Sequence, residues 1–255
     1  MSIQACAELV QRGDPDRFLA TMAAPVAARA RLFPLYAFNL EVARAPWASA
    51  EPMIAEMRLQ WWRDALAEIG QGGPARRHEV VTPLADLLDA QDAARLDALV
   101  EARRWDIYRD PFADFAAFEA HIDATAGHLM WTAARLLGAD SGEGVLRDFA
   151  HAAGVANWLQ AIPELEARGR VPLVDGRAEA VAELARAALG RLGRARGRRA
   201  ELPRTAAPAL LAGWQAEGVL RRAAADPARV AEGRLAPSEF RRRGGLLWKG
   251  FTGRW

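Results

Sequence analysis

A chain of 255 residues that is 51% hydrophobic is long and apolar enough to bury a substantial core, which excludes disordered and fibrous classes. Its formal net charge is only +2 and every cation except Lys249 is arginine, a bias of genome composition rather than an electrostatic footprint for nucleic acid. The lone Cys6 excludes an internal disulfide, no apolar run reaches the length of a membrane span, and no composition shift or positive-then-apolar leader is seen, so the expectation is one cytoplasmic domain over 1–255.

Sustained period-two alternation is missing while apolar residues recur at three and four, so the fold is expected to be all-α. The first long helix is expected over Asp16–Ala45, with Asp14 or Asp16 as cap, Pro15 in its first turn, and breaks or kinks at Pro25 and Pro34. Phe18, Leu32, Phe33, Leu35, Tyr36 and Phe38 supply its core faces, and Arg17, Arg29 and Arg31 are either phosphate contacts or solvated arginines. Pro46 ends this helix, and Ser49-Ala50-Glu51-Pro52 restarts one that runs through Ile69 and carries Met57-Arg58-Leu59-Gln60-Trp61-Trp62-Arg63-Asp64. Helical spacing assigns at least one of the two tryptophans to the core; an aromatic ligand cage is the rival.

Gly70-Gln71-Gly72-Gly73-Pro74 is a flexible connection, and the four histidines, His78, His121, His128 and His151, show neither i, i+4 spacing nor a Cys/His cluster, which argues against zinc. Three helices are expected over Thr82–Leu88, Asp92–Arg109 and Phe112–Leu137, with their scattered aspartates on a solvated face. Gly127, in the last of these, costs about 1 kcal/mol relative to alanine and points to close helix packing or an apposed ligand, with packing the favoured reading. The next helix starts near Ser141-Gly142-Glu143 and is expected to end or kink at Ile162-Pro163. Helices over Ala178–Leu192, Thr205–Ala225 and Pro237–Gly250 complete the chain. The arginines at 191, 194, 196, 198, 199 and 204 lack interleaved aromatics and read as a solvated helix end. The segment 240–255 does interleave cations with aromatics. That is the composition of an interfacial membrane anchor, with core packing of Leu246, Leu247 and Trp248 and a frayed tail as an equal rival.

Three phrases carry a family resemblance. Leu35-Tyr36-Ala37-Phe38-Asn39-Leu40-Glu41-Val42-Ala43-Arg44-Ala45-Pro46-Trp47 resembles the Y-A-F-C-R-x-x-D-D-x-x-D helix of the squalene/phytoene synthase family. The stretch Gly154-Val155-Ala156-Asn157-Trp158-Leu159-Gln160-Ala161-Ile162-Pro163-Glu164-Leu165, closed by Gly169-Arg170-Val171, is similar to that family's Q-x-x-N-I-L-R-D-x-x-E-D and G-R-[IV] segments. The double-tryptophan phrase is similar to its R-L-x-W-W-R-[DE]. The likeness runs well from about Asp16 to Val171 and loosely beyond. It implies a single-domain, isoprenoid-synthase-like helical bundle around a central cavity, with Arg58 or Asp64 buttressing the cavity wall.

In that family, aspartates four residues apart on one helix face clamp Mg²⁺ against a diphosphate leaving group. Laid on without gaps, they fall on Ala43, Trp47, Ala161 and Leu165, with Arg44 on an acidic position. Asn157 matches a polar ligand, and Glu164 matches the acidic position before the last aspartate. Asn39, Glu41 and Arg58-Leu59-Gln60-Trp61-Trp62 resemble an aspartate-depleted branch that includes mitochondrial factors needed to assemble respiratory complex I. The resemblance therefore implies no catalytic residue, no metal site and no cofactor. It implies instead a non-catalytic assembly or lipid-binding factor, whose partner is a protein of a respiratory-complex assembly pathway or an isoprenoid or lipid ligand. Nucleic acid is not expected; peripheral contact with the inner face of the membrane through Arg241–Trp255 is. The cavity or ligand candidates are Tyr36, Asn39, Glu41, Arg44, Arg58, Trp61, Trp62, Asp64, Asn157, Glu164 and Arg170. The alternative is an active head-to-head prenyltransferase joining two prenyl diphosphates into phytoene, squalene or a hopanoid precursor, with Mg²⁺ on substitute ligands such as Glu41, Asn157 and Glu164.

Overall fold

Helices form in this computed structural model wherever a cap meets an apolar repeat. It describes residues 2–253 and 255; Arg254 and the side chain of Arg241, both in the expected anchor segment, lie outside the described residues. The chain starts earlier than expected, with α1 (Ile3–Gly13) capped by Ser2. Asp14 then caps α2 (Pro15–Ala23) by accepting the Arg17 backbone N–H at 2.9 Å, with Pro15 at the first helical position. Pro25 breaks the chain as expected, but Pro34 does not. It sits buried within α3 (Val26–Arg44), whose run from Leu32 to Leu40 is buried on every side.

A short turn of 3₁₀ helix, Ala45–Trp47, leads to α4 (Pro52–Gly70). After α5 (Val81–Ala85), Asp89 caps α6 (Ala90–Ala102), which packs along α4 and is tied to it by Arg63 reaching Asp97 at 2.7 Å and Glu101 at 2.5 Å. Asp114 caps α7 (Phe115–Ile122). A π-helical turn, Asp123–Gly127, joins α7 to α8 (His128–Leu136) in place of one continuous helix.

The helix of the second family-like stretch, α9 (Glu143–Ala167), does not end at Pro163; it continues for one more turn. A proline in a helix interior forfeits one backbone hydrogen bond, at a cost of about 3 kcal/mol. Burial of Ile162 and Leu165 on either side returns roughly 1.5–3 kcal/mol each, so packing carries the helix through. The rest comprises α10 (Ala178–Gly197), α11 (Ala207–Leu210), α12 (Ala216–Ala225), α13 (Ala228–Ala231) and α14 (Glu239–Thr252). The expected helix over Thr205–Ala225 is thus broken, with short 3₁₀ turns flanking α11. Helix α9 is the buried spine, against which α10, α12 and the π turn all pack. No strand occurs among the described residues.

Candidate functional site

The C-terminal half of α3 and the C-terminal half of α9 face one another across a cavity of about 460 Å³. All four motif positions, Ala43, Trp47, Ala161 and Leu165, line it, together with Asn39, Arg44, Asn157 and Glu164. The two family-like stretches, more than a hundred residues apart in sequence, therefore make one site. The cavity is open; Trp47 and Leu165 line it without filling it.

Its other wall comes from the π turn and from the end of α6. One extra residue in the turn of helix sets Thr125 and Ala126 beside Ile122 and Leu129 on the cavity side. Gly154 of α9 makes this approach possible. A Cβ there would lie 2.7 Å from the Ala126 Cβ and 2.8 Å from the Ile122 Cγ2. Gly127 meets the Asp123 carboxylate of its own turn and the end of the Arg147 side chain rather than a neighbouring backbone; the glycine that shapes the cavity is Gly154.

The site's electrostatics are cationic. Arg17, Arg44, Arg103 and Arg168 line the cavity against two carboxylates, Asp106 and Glu164. Burial pushes the Asp106 carboxyl up, partly opposed by Arg103 at 3.4 Å. Glu164 is at the exposed mouth and accepts from Arg168 at 2.5 Å. Arg17 pairs with Asp14 at 2.9 Å and lies over the Tyr36 ring at 5.2 Å. Arg168 and Arg170 both lie over the Trp47 ring, 4.5 and 5.2 Å from its centre. Burial and the nearby Arg103 push the His121 imidazole down to about 3, so it is neutral at physiological pH.

Four buried polar atoms of the lining have no hydrogen-bond partner: Arg17 Nε, Asn39 Oδ1, Arg103 Nε and His121 Nε2. Among the described residues, no three His, Cys, Asp or Glu side chains gather into a group that could hold a metal ion.

Several expected site residues lie elsewhere. Arg58 is exposed to solvent and Asp64 faces outward, accepting from Gln60 at 2.7 Å, so neither buttresses the cavity wall; both belong to the outer side of α4. Trp62 is core, edge-on to Phe38 at 5.3 Å, and half-buried Trp61 packs on Trp62, His78 and Arg76. Neither tryptophan reaches the cavity, so the core-stripe expectation holds over the cage. Tyr36 lines a small adjoining pocket of about 30 Å³, and burial pushes its hydroxyl up to about 12. Glu41 is half-buried beside the core and is not in the lining. Arg170 supports the cavity from outside, donating to the Asp106 and Ile107 carbonyls at 2.7 and 3.2 Å, while Trp158 Nε1 holds the Pro172 carbonyl at 2.9 Å. Arg103, Asp106, His121, Thr125 and Arg168 were not singled out as site residues, because nothing in their local sequence distinguishes them from helix-surface residues.

The model of the squalene/phytoene synthase family matches residues 10–174, nearly two-thirds of the chain. The chain belongs to the squalene/phytoene synthase family. The solved structure of a dehydrosqualene synthase superposes with a TM-score of 0.76 at 14% identity, covering 98% of this chain and 95% of that one. Squalene synthase HpnC from Alicyclobacillus acidocaldarius gives 0.57 at 18% identity, covering 98% and 94%. These likenesses establish the all-α isoprenoid-synthase fold. Among curated proteins, the human NADH dehydrogenase (ubiquinone) complex I, assembly factor 6 is 23% identical over 170 residues, 65% of this chain and 51% of that protein. Its Drosophila melanogaster homologue is 40% identical over 62 residues, 24% of this chain and 19% of that protein. This family member thus spans about half the length of the human relative it matches.

Proposed function

We propose that this squalene/phytoene synthase family member is a non-catalytic factor that acts in the assembly of a respiratory complex, using the inherited cavity for binding rather than turnover. One observation carries the reading: the cavity that a head-to-head synthase would line with paired carboxylates is lined here by Ala43, Trp47, Ala161 and Leu165, with four arginines around them. The donor set does not suit Mg²⁺, a hard cation that takes oxygen ligands in near-octahedral geometry. Of the two carboxylates, Asp106 is buried against Arg103 and Glu164 is engaged by Arg168, while the arginines repel a divalent cation at short range. No step of diphosphate ionisation is therefore assigned to this site. The curated relatives named as complex I assembly factors supply the direction of the functional assignment. The test is removal of the protein from its own cell. The expected result is less assembled complex I and lower NADH oxidation by membranes, with isoprenoid hydrocarbons unchanged; normal complex I with lost hydrocarbon would overturn it.

The membrane side of the proposal rests on α14. Phe240, Leu247 and Phe251 fall at spacings of seven and four along one face and are 89%, 71% and 90% exposed, with Trp248 beside them at 62%. The opposite face docks on the body through buried Leu246 and through Gly250 against Ala23, and Trp255 packs edge-on to Phe149 at 5.2 Å. Core packing of Leu247 and Trp248 is thereby ruled out, since their side chains face solvent. Trp248 also shares a surface hollow with Arg196, Arg199 and Lys249, the mixture of aromatic and cation that favours an anionic membrane interface. No helix among the described residues is long and apolar enough to cross a membrane.

A further inference from the structure

We propose that α14, the elbow between α2 and α3, and the cationic hollow beside them form one membrane-docking surface, on which the phosphate of an anionic phospholipid headgroup sits between Arg199 and Lys249. This rests on the membrane side of the reading above and names the lipid class that it takes.

The apolar part of the surface is wider than α14. Gly250 packs on the elbow, where a Cβ would lie 3.5 Å from both the Cβ and the carbonyl oxygen of Ala23. Met22 and Val26, to either side of that contact, are 41% and 74% exposed, so the elbow extends the stripe of Leu247 and Phe251. Its polar groups are already satisfied. Arg29 donates to the Ala24 and Met22 carbonyls at 3.2 and 2.7 Å, and the Ala24 N–H donates to the Thr21 carbonyl at 3.1 Å. A helix end bonded internally in this way can enter a lipid interface without leaving its carbonyls unpaired. Phe240 and Phe251 are 89% and 90% exposed and project from the helix, so a protein partner would have to carry a pocket for each, whereas a fluid interface takes them as they stand.

At about 3.6 residues per turn, Gly250 and Trp248 fall on opposite sides of the stripe, so the elbow borders it on one side and the hollow of about 330 Å³ on the other. Lys249 lies behind the stripe; with the stripe in the acyl boundary, its ammonium reaches back to the level of the phosphates. The charges of the hollow do not balance. Arg194 pairs with Asp148 at 3.7 Å and Arg198 with Glu201 at 2.8 Å, while Arg196 is held by Glu217 at 2.7 Å and by the main-chain oxygen of Trp255 at 3.0 Å. Among the described residues, Arg199 and Lys249 have no such partner. Glu217, the carboxylate that acts on Lys249, is also engaged by Arg221 at 2.7 Å, and burial together with the Arg196 charge holds the Lys249 ammonium below the ordinary lysine range. A phosphate between Arg199 and Lys249 supplies the missing anion with an acceptor oxygen for each.

The experiment is co-sedimentation of the protein with vesicles of phosphatidylcholine alone and of an equimolar mixture of phosphatidylcholine and phosphatidylglycerol. A cation near an anionic surface contributes about fivefold in affinity, so Arg199→Gln/Lys249→Gln should weaken binding to the mixed vesicles about thirtyfold and leave binding to phosphatidylcholine within about twofold of the parent. Met22→Ser/Val26→Ser should weaken binding to both about tenfold, and Arg58→Gln on the outer side of α4 should change neither. Lys249 is the only lysine, so its ¹³C-methylated amine reports the headgroup site directly. Dihexanoyl phosphatidylglycerol below its micelle concentration should raise its titration midpoint, and inorganic phosphate at the same concentration should not. Undiminished binding of the Arg199→Gln/Lys249→Gln variant, or an unmoved Lys249 midpoint, overturns the headgroup site and leaves the membrane reading standing. An equal rise with inorganic phosphate overturns the lipid assignment, and unchanged binding of Met22→Ser/Val26→Ser removes the elbow. Failure of the parent to bind either vesicle overturns the membrane reading and this proposal together.

Discussion

Replacing Gly154 tests whether the cavity exists because α9 and the π turn touch without a side chain between them. A Cβ at this position would stand 2.7 Å from the Ala126 Cβ and 2.8 Å from the Ile122 Cγ2. Non-bonded carbons settle at about 3.5–4.0 Å, so the two elements must part by nearly 1 Å to admit even one methyl group. Neither obstacle is the free end of a long side chain: Ala126 has no rotamer to change, and Ile122 is 2% exposed and stiff at its branched carbon. Overpacking of this kind costs about 1–3 kcal/mol, whereas replacing glycine by alanine inside a helix returns about 1 kcal/mol. Gly154→Ala should therefore lose about 1 kcal/mol and Gly154→Val, with two further methyl groups and a poorer helix former, about 3 kcal/mol. For a chain of this size 1 kcal/mol lowers the melting temperature by roughly 2–4 °C, so the valine variant should melt about 6–12 °C lower. Thermal unfolding followed by circular dichroism reads both. An alanine variant more stable than the parent by about 1 kcal/mol would mean helix propensity wins and the contact is loose, and the account of the cavity wall would be wrong.

His121 sets an acid-side dependence. Its imidazole stays neutral in the fold down to about pH 3, but protonates in the unfolded chain below about pH 6.5, so acid favours unfolding over that window by up to about 1.4 kcal/mol per pH unit. Urea midpoints measured from pH 7 to 4 should therefore fall less steeply in His121→Gln than in the parent; parallel slopes would refute the assignment. Pro163→Ala restores a backbone N–H to the last turn of α9 and should stabilise by about 1–2 kcal/mol after the unfolded chain's gain in freedom is subtracted, measured by urea unfolding. No gain would mean that the turn is held in a geometry the new N–H cannot use. The parent chain should float with vesicles containing anionic lipid, and the Leu247→Ser/Phe251→Ser double variant should not; equal flotation would remove α14 from the membrane account.

The helices were legible from their apolar period, and Asp14 with Pro15 marks a start that the backbone obeys. Asp89 and Asp114 cap α6 and α7 two to three residues away from the expected starts at Asp92 and Phe112, since the periodic pattern alone does not locate a cap. Pro163 does not end α9, because its penalty is local and fixed, whereas the burial of Ile162 and Leu165 that outweighs it depends on helices arriving from elsewhere. The convergence of Ala43 and Trp47 with Ala161 and Leu165 could be expected only from the family resemblance, and it holds. Arg58 and Asp64 show the limit of phrase matching, since a distinctive phrase fixes a helix and its buried stripe, here Leu59 and Trp62, without saying what its outer face meets. The π turn left no local sign, and with it went Thr125 and the cavity face of His121. Arg103 and Arg168 look like ordinary helix-end arginines until the fold brings them to one opening.

The proposed non-catalytic role requires that this member of the family not turn over prenyl diphosphates. The purified protein incubated with farnesyl and geranylgeranyl diphosphates and Mg²⁺ should release no pyrophosphate above the protein-free rate and yield no extractable condensed hydrocarbon. Sustained pyrophosphate release with a hydrocarbon product, abolished by chelator, would contradict the account and require a metal site among residues that the cavity lining does not supply.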